Sequence, residues 1–169
     1  MLVRLGLPGE STQLQQLEIE AGEQFREIGM HSIADDEPPA LDELEAAIAQ
    51  ERLWVAEIDL EPCAGYAMAT ILDGAPHLVQ VSVRPTHQRR GVGRALVNAG
   101  ADWARHLGAD SITLTTFRDV AWNGPLYERL DFVAIDDAEL TDALRRVRQQ
   151  EIELGLDAAG PRVAMRRAL

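Results

Sequence analysis

The chain contains no lysine, although it carries 16 arginines among its 169 residues. That absence excludes Schiff-base chemistry on a side-chain amine. It also excludes a Walker A loop, which needs Gly-Lys-Ser/Thr to reach nucleotide phosphates. Cysteine is almost missing too: Cys63 stands alone, so no internal disulfide can form and a cytoplasmic setting is the default expectation. Nothing beside Cys63 in sequence offers the activation that an acyl-carrying thiolate needs. The four histidines show no ligand spacing, so no metal is expected. No apolar run approaches the roughly twenty residues of a membrane span, and the first residues lack the layout of a signal peptide. Positive charge is in short supply. Against 28 Asp and Glu it leaves a formal charge of −12, which argues against a nucleic-acid partner, because neutralising phosphates requires a basic face. There is no repeat, linker or low-complexity stretch, and the length suits a single domain over residues 1–169.

The scarce positive charge is concentrated in one place. No acid occurs from Gly74 to Ala101, while Arg84, Arg89, Arg90 and Arg94 all do. The remainder of the chain carries a formal charge of −16. A basic island in an acidic chain points to a local anionic ligand. The island coincides with a change of hydrophobic period. Val81 and Val83 alternate with Ser82 as a half-buried strand does, and Pro85 should stop that strand near Arg84. After Gln88-Arg89-Arg90-Gly91-Val92-Gly93-Arg94, apolar residues recur at helical spacing: Val92, Ala95, Leu96, Ala99 and Trp103. A helix beginning near Gly91 leaves its first N–H groups without intrahelical partners at the positive end of its dipole. The glycines admit a ligand to the backbone, and the arginines supply planar donors. This is a cradle suited to a pyrophosphate. The dinucleotide fingerprint G-x-G-x-x-G fits Gly91 and Gly93 but finds Leu96 in third place, and no acid follows from Ser111 to Arg118.

Around this segment the pattern predicts a short edge strand at Val3–Leu5 and a helix over about 12–28 capped by Ser11. A loop over 29–40 contains Asp35-Asp36-Glu37, and a second helix follows over about 41–50. Strands at about 53–58, 64–72 and 77–83, broken at Glu61-Pro62 and Asp73-Gly74, read as an antiparallel meander. The cradle helix should stop at Gly108. The β-branched run Ser111–Thr115, reached through that helix, should lie parallel to the strand before it. A short helix at about 124–129, a strand at 132–135, a helix over about 139–154 and a last strand at 162–165 complete the chain.

Gln88 to Arg94 resembles the Q/R-x-x-G-x-G/A signature of the GCN5-related N-acetyltransferase (GNAT) family. Leu126-Tyr127-Glu128-Arg129-Leu130-Asp131-Phe132 resembles the family's L-Y-E-K-x-G-F segment. A helix and a strand separate the two, as the family requires, and the resemblance covers about Arg52 to Val133. It implies an α/β (α+β) fold: a mixed, mostly antiparallel sheet with helices on both faces and a splay between the two central parallel strands. It implies that Gln88, Arg89, Arg90, Gly91, Val92, Gly93 and Arg94 hold the pyrophosphate of acetyl-coenzyme A, the cosubstrate. The pantetheine arm would pair with the backbone of Val81, Ser82 and Val83, whose N–H and C=O groups a splay leaves unpaired. Tyr127 would protonate or hydrogen-bond the departing thiolate.

The chain departs from the family in three places. Val120 and Asn123 stand where Asn and Ala are common, so Asn123 would meet the arm from an unusual register. Asp131 replaces a glycine, which a left-handed aspartate can tolerate. The strand glutamate common near Val79 and Gln80 is missing. Other candidates for the general base are Glu20 and Glu23, which share a helix face, together with Asp35, Asp36, His77 and His87, and none stands out. The acceptor implied is an amine of a small molecule or peptide, with Glu23, Asp35, Asp36 and Trp122 near it, and a homodimer is compatible with this reading. The alternatives are a transferase with another acyl donor or acceptor, and a non-catalytic acyl-coenzyme A sensor.

Overall fold

Seven strands appear in the computed structural model, which describes residues 1–58 and 61–169. They are β1 (Leu2–Leu5), β2 (Leu53–Ile58), β3 (Glu61–Leu72), β4 (Ala75–Val83), β5 (Ser111–Phe117), β6 (Val133–Ala134) and β7 (Arg162–Ala168). Their order in one sheet is β1-β2-β3-β4-β5-β7-β6. β1–β2, β2–β3, β5–β7 and β6–β7 are antiparallel. β4 and β5 are parallel, pairing His77 with Thr113 and Leu78 with Leu114. The helices are α1 (Ser11–Arg26), α2 (His31–Ala34), α3 (Leu41–Ala49), α4 (Val92–His106), α5 (Gly124–Glu128), α6 (Asp142–Glu153) and α7 (Leu156–Ala159). The chain divides into two compact units, Met1–Thr70 with Val79–Asp102, and Ile71–Leu78 with Trp103–Leu169.

In the first unit, Leu14, Leu17 and Ala21 of α1 and Leu44, Ala47 and Ile48 of α3 pack on Leu53 and Val55 of β2 and Tyr66 and Met68 of β3. Successive strand residues face opposite sides, so Gly65 looks away from this layer. A Cβ placed there would meet Val92 and Leu96 of α4. Helices therefore cover both faces here. Ser11 is the first helical residue rather than the cap. Glu10 takes the cap position, and its carboxylate accepts the Leu7 N–H at 2.8 Å and bonds Arg4. The expected loop over 29–40 includes the one-turn α2. The break expected at Glu61-Pro62 falls inside β3, where Glu61 pairs with Ile58 beside a register shift. Proline is tolerated at the start of a strand or at such an irregularity.

In the second unit, β5 carries alternating buried residues, Ile112, Leu114 and Thr116, as its β-branched composition suggests. Its register with β7 runs unbroken from Ser111–Ala168 to Phe117–Arg162. α6 starts three residues later than expected, because the Thr141 side chain accepts the Leu144 N–H at 3.2 Å and caps it. Asp73 and Gly74 both have positive φ, 48° and 87°, as the two central residues of a tight hairpin turn require. Gly108 (φ 77°) follows α4, and Asp131 (φ 67°) takes the left-handed conformation expected of it.

Candidate active site

The acid-free segment forms a turn that presents backbone N–H groups. After β4, residues Pro85–His87 make one 3₁₀ turn. Arg89 and Gly91 then adopt positive φ, 57° and 84°. Alternation of hand over successive residues directs N–H groups into a common concavity, an anion nest. At Gly91 this φ, and not crowding, calls for glycine, since an added Cβ would meet nothing within 4 Å. The first α-helical bond of α4 is Ala95 N–H to Gly91 O at 3.0 Å. The N–H groups of Val92, Gly93 and Arg94 precede it and have no intrahelical acceptor. The side chains divide by role. Val92 is 1% exposed and anchors α4 in the core, so only its backbone faces the turn. Arg89, Arg90 and Arg94 are exposed, and Arg90 also approaches His87 Nδ1 at 3.0 Å. Gln88 is committed elsewhere, donating to Gln24 on α1 at 2.7 Å. Arg84 is held by Glu20 and by the Cys63 carbonyl at 2.8 Å, so it belongs to the scaffold.

Within the same unit a second constellation surrounds Glu18, which sequence reasoning passed over. Tyr66 donates its hydroxyl to one Glu18 oxygen at 2.8 Å, and Gln80 donates to the other at 2.6 Å. Gln80 also reaches Ser82 Oγ at 3.1 Å, and Ser82 in turn bonds Glu18. Burial raises the Glu18 carboxyl above the ordinary range, against hydrogen bonds from Ser82, Tyr66 and Gln80 that pull it down. Tyr66 is fully buried, and its phenol is pushed well above its ordinary value by burial and by Glu18. The signal was present in the sequence: Glu18 lies in the apolar stripe of α1, four residues after Leu14 and three before Ala21.

In the second unit, Tyr127 sits on α5, 8% exposed, edge-on to Phe132 at 5.6 Å between ring centroids. Burial pushes its phenol up to about 12, with Arg162 opposing, so it keeps its proton at neutral pH. Asn123 precedes α5 and donates to Thr116 Oγ1 at 2.9 Å. Its Oδ1 is buried and takes no hydrogen bond among the described residues. Trp122 is half-buried in the turn before it. His77 is buried against Thr113 Oγ1 at 2.9 Å, and burial lowers it to about 4 although Glu151 opposes this. It is therefore neutral and already hydrogen-bonded. Glu151 itself accepts from Thr115 at 2.6 Å and Arg162 at 2.5 Å and also pairs with Arg148. Burial pushes Glu151 up, but these partners outweigh it and hold it below the usual range.

The acidic residues expected near an acceptor are exposed, and two of them converge. Arg26 lies between Glu23 at 3.1 Å and Asp35 at 2.6 Å, and its guanidinium holds Asp35 below the ordinary range. Asp36 accepts the Glu37 N–H at 3.0 Å. Among the described residues no helix is long and apolar enough to cross a membrane, and no group of three or more His, Cys, Asp or Glu is placed to hold a metal ion.

Residues 14–132 match the model of the Acetyltransferase (GNAT) family. Among solved structures, Rv2747 from Mycobacterium tuberculosis in complex with CoA and NLQ is 20% identical at a TM-score of 0.72, over 100% of this chain and 99% of that one. N-acetylglutamate synthase from Neisseria gonorrhoeae, complexed with coenzyme A and N-acetyl-glutamate, is 18% identical at a TM-score of 0.72, over 99% of this chain and 35% of that one. PaiA N-acetyltransferase from Thermoplasma acidophilum, in complex with coenzyme A, is 12% identical at a TM-score of 0.71, over 99% and 98%. At these identities the likeness is one of fold.

Proposed function

Since the chain belongs to the acetyltransferase (GNAT) family, we propose that it transfers an acetyl group from acetyl-coenzyme A directly to an amine of a small molecule or peptide, in the cytoplasm. We read residues 1–169 as one acetyltransferase domain, a reading supported by the family match, which runs through both compact units. The observation that carries the functional reading is the nest at Arg89 and Gly91, joined to the N-terminus of α4 inside a segment free of acid. A diphosphate fits there: N–H donors converge, the helix dipole favours negative charge, and exposed Arg89 and Arg94 add cations.

In this reading the backbone of Val81–Val83, beyond the β4–β5 pairs at His77 and Leu78, pairs with the pantetheine amides. Asn123 offers its buried, unpaired Oδ1 to an amide N–H. The bound thioester supplies an activated acyl carbon and a thiolate leaving group. Tyr127 keeps its proton at neutral pH and is thus available to hydrogen-bond or protonate the departing thiolate. Glu23, Asp35, Asp36 and Trp122 remain the proposed acceptor contacts, but Arg26 offsets much of the charge of Glu23 and Asp35. Asp36 is left as the principal attraction for a cationic amine.

The test is a thiol-release screen over amines, amino acids and peptide N-termini, combined with calorimetry on Gly93→Asp. The parent should bind coenzyme A and release thiol with at least one amine. Gly93→Asp should fold and lose binding, because it places an anion among the N–H donors. Unchanged coenzyme A affinity in the folded variant would show the cradle to be wrong. Binding without turnover on any amine would show the chain to be a sensor.

A further inference from the structure

We propose that the Glu18 carboxylate is the general base that takes the proton from the acceptor amine. This rests on the transferase reading above and assigns the role left empty by Val79 and Gln80, where relatives commonly carry a glutamate.

Three observations converge on Glu18. First, it interrupts the apolar stripe of α1, between Leu14 and Leu17 (0% exposed) and Ala21 (4%). A partly buried carboxylate there is unfavourable unless it is hydrogen-bonded or paired. Second, the groups that hold it are neutral donors, Tyr66, Gln80 and Ser82, while Arg84 of the same unit pairs with Glu20. A buried carboxylate kept for structure is commonly paired with a cation, which would make it a poor base. Neutral donors fix its orientation and leave it able to accept a proton. Third, Gln80 and Ser82 flank Val81 on β4, the strand proposed to take the pantetheine arm. The carboxylate is therefore tethered to one face of β4 at that stretch of backbone.

The remaining groups that act on Glu18 are Tyr66 from β3, Gln80 and Ser82 from β4, and Asp36 from the segment after α2. Asp36 raises its proton affinity, and burial acts in the same direction. A general base works best with a pKa moved toward the operating pH. In the step itself, an ammonium proton of the acceptor passes to a Glu18 oxygen. The freed nitrogen lone pair forms the C–N bond at the thioester carbon. The C–S bond breaks with its electron pair on sulfur, which takes a proton from the general acid. A second proton leaves the new amide nitrogen to solvent, and Glu18 and the general acid are reset by solvent exchange.

The test joins kinetics with a measurement that needs no substrate. Glu18→Gln keeps the size of the side chain. Its kcat/KM should fall by about 10²- to 10⁴-fold at neutral pH, with coenzyme A affinity unchanged. The acidic limb of the parent pH–rate profile should vanish in the variant. Carbon NMR of glutamate-labelled, unliganded protein should show one carboxyl resonance that titrates above the ordinary glutamate range. That resonance should be absent in Glu18→Gln and move higher still in Tyr66→Phe, which removes a donor to the charged form. Titration of Glu18 in the ordinary range, or a Gln variant with parental kcat/KM, overturns this proposal alone. A parent that binds coenzyme A and acetylates no amine overturns the transferase reading and this proposal together.

Discussion

Gly65→Ala adds one methyl group at a point where two parts of the proposed cofactor site meet. The new Cβ would lie 2.7 Å from Ser82 O, 3.1 Å from Val92 Cγ1 and 3.2 Å from Leu96 Cδ1. Ordinary carbon contacts begin near 3.4 Å, so the Ser82 carbonyl must retreat by about 0.7 Å or α4 must lift. The carbonyl cannot move freely, because β4 is tied to β3 two residues on by Arg84 N–H to Ala64 O at 2.9 Å. Overpacking of this kind costs about 1–3 kcal/mol. For a chain of this length each kcal/mol is worth about 2–4 °C, so Tm should fall by about 2–12 °C. The opposite sign is the generic expectation, since alanine in a strand interior is favoured over glycine by roughly 0.5–1 kcal/mol. Calorimetric Tm decides between them. Coenzyme A titration supplies a second readout, because the displaced atoms belong to the strand proposed for the arm and to the helix of the proposed cradle. Binding should weaken along with stability. A Tm equal to or above that of the parent would refute the packing argument, and a lowered Tm with unchanged affinity would separate Gly65 from the cofactor site.

Tyr127→Phe keeps the edge-on contact with Phe132 and removes the hydroxyl. Steady-state turnover should fall by about 10- to 1,000-fold while coenzyme A affinity stays constant; indifference of kcat would remove Tyr127 from the chemistry. Asp36→Asn should raise KM for a cationic acceptor more than Asp35→Asn does, because Asp35 is already paired with Arg26; equal effects in low-salt kinetics would contradict this. Against its burial, Arg162, Thr115 and Arg148 hold Glu151 below the ordinary carboxylate value of about 4.5, so the stability it contributes is present above about that pH and is lost as pH falls through the folded value. Glu151→Gln should therefore lower Tm at neutral pH and flatten the decline of Tm below pH 4.5, as followed by circular dichroism; an acid decline as steep as that of the parent would count against the network.

The elements that repeated a period were legible in advance. α1, α3, α4 and the strands β2 to β5 announce themselves through stripes or alternation over six residues or more, and the glycine turn ahead of α4 was visible because glycine, arginine and the absence of acid coincide. The misplacements share a cause: the competing interaction lies far away in sequence. Ser11 looks like a cap until Glu10 is seen bonded to Arg4 and Leu7. Arg84 looks like part of the basic island until Glu20, on another element, claims it. Glu23 and Asp35 look like free acids until Arg26 is placed between them. Glu18 was readable as a charge in an apolar stripe. Its partners Tyr66 and Gln80 lie 48 and 62 residues away, and no local pattern joins them.

The burial of Cys63 takes on a different meaning beside the missing lysines. Its side chain is 1% exposed, and burial, only partly opposed by Arg84, pushes its thiol up to about 11. A thiolate is scarce at neutral pH under those conditions. Thioesters acylate amines and thiolates without enzymatic help, and this polypeptide offers neither on any accessible side chain. Its cations are guanidinium groups, which stay protonated and do not attack carbonyls. If the proposed cradle holds a thioester, no side chain of this polypeptide competes with the acceptor for the acyl group, which leaves the α-amino group of Met1 as the one exposed amine. The arginines of the cradle would then keep their charge through repeated encounters with the reagent.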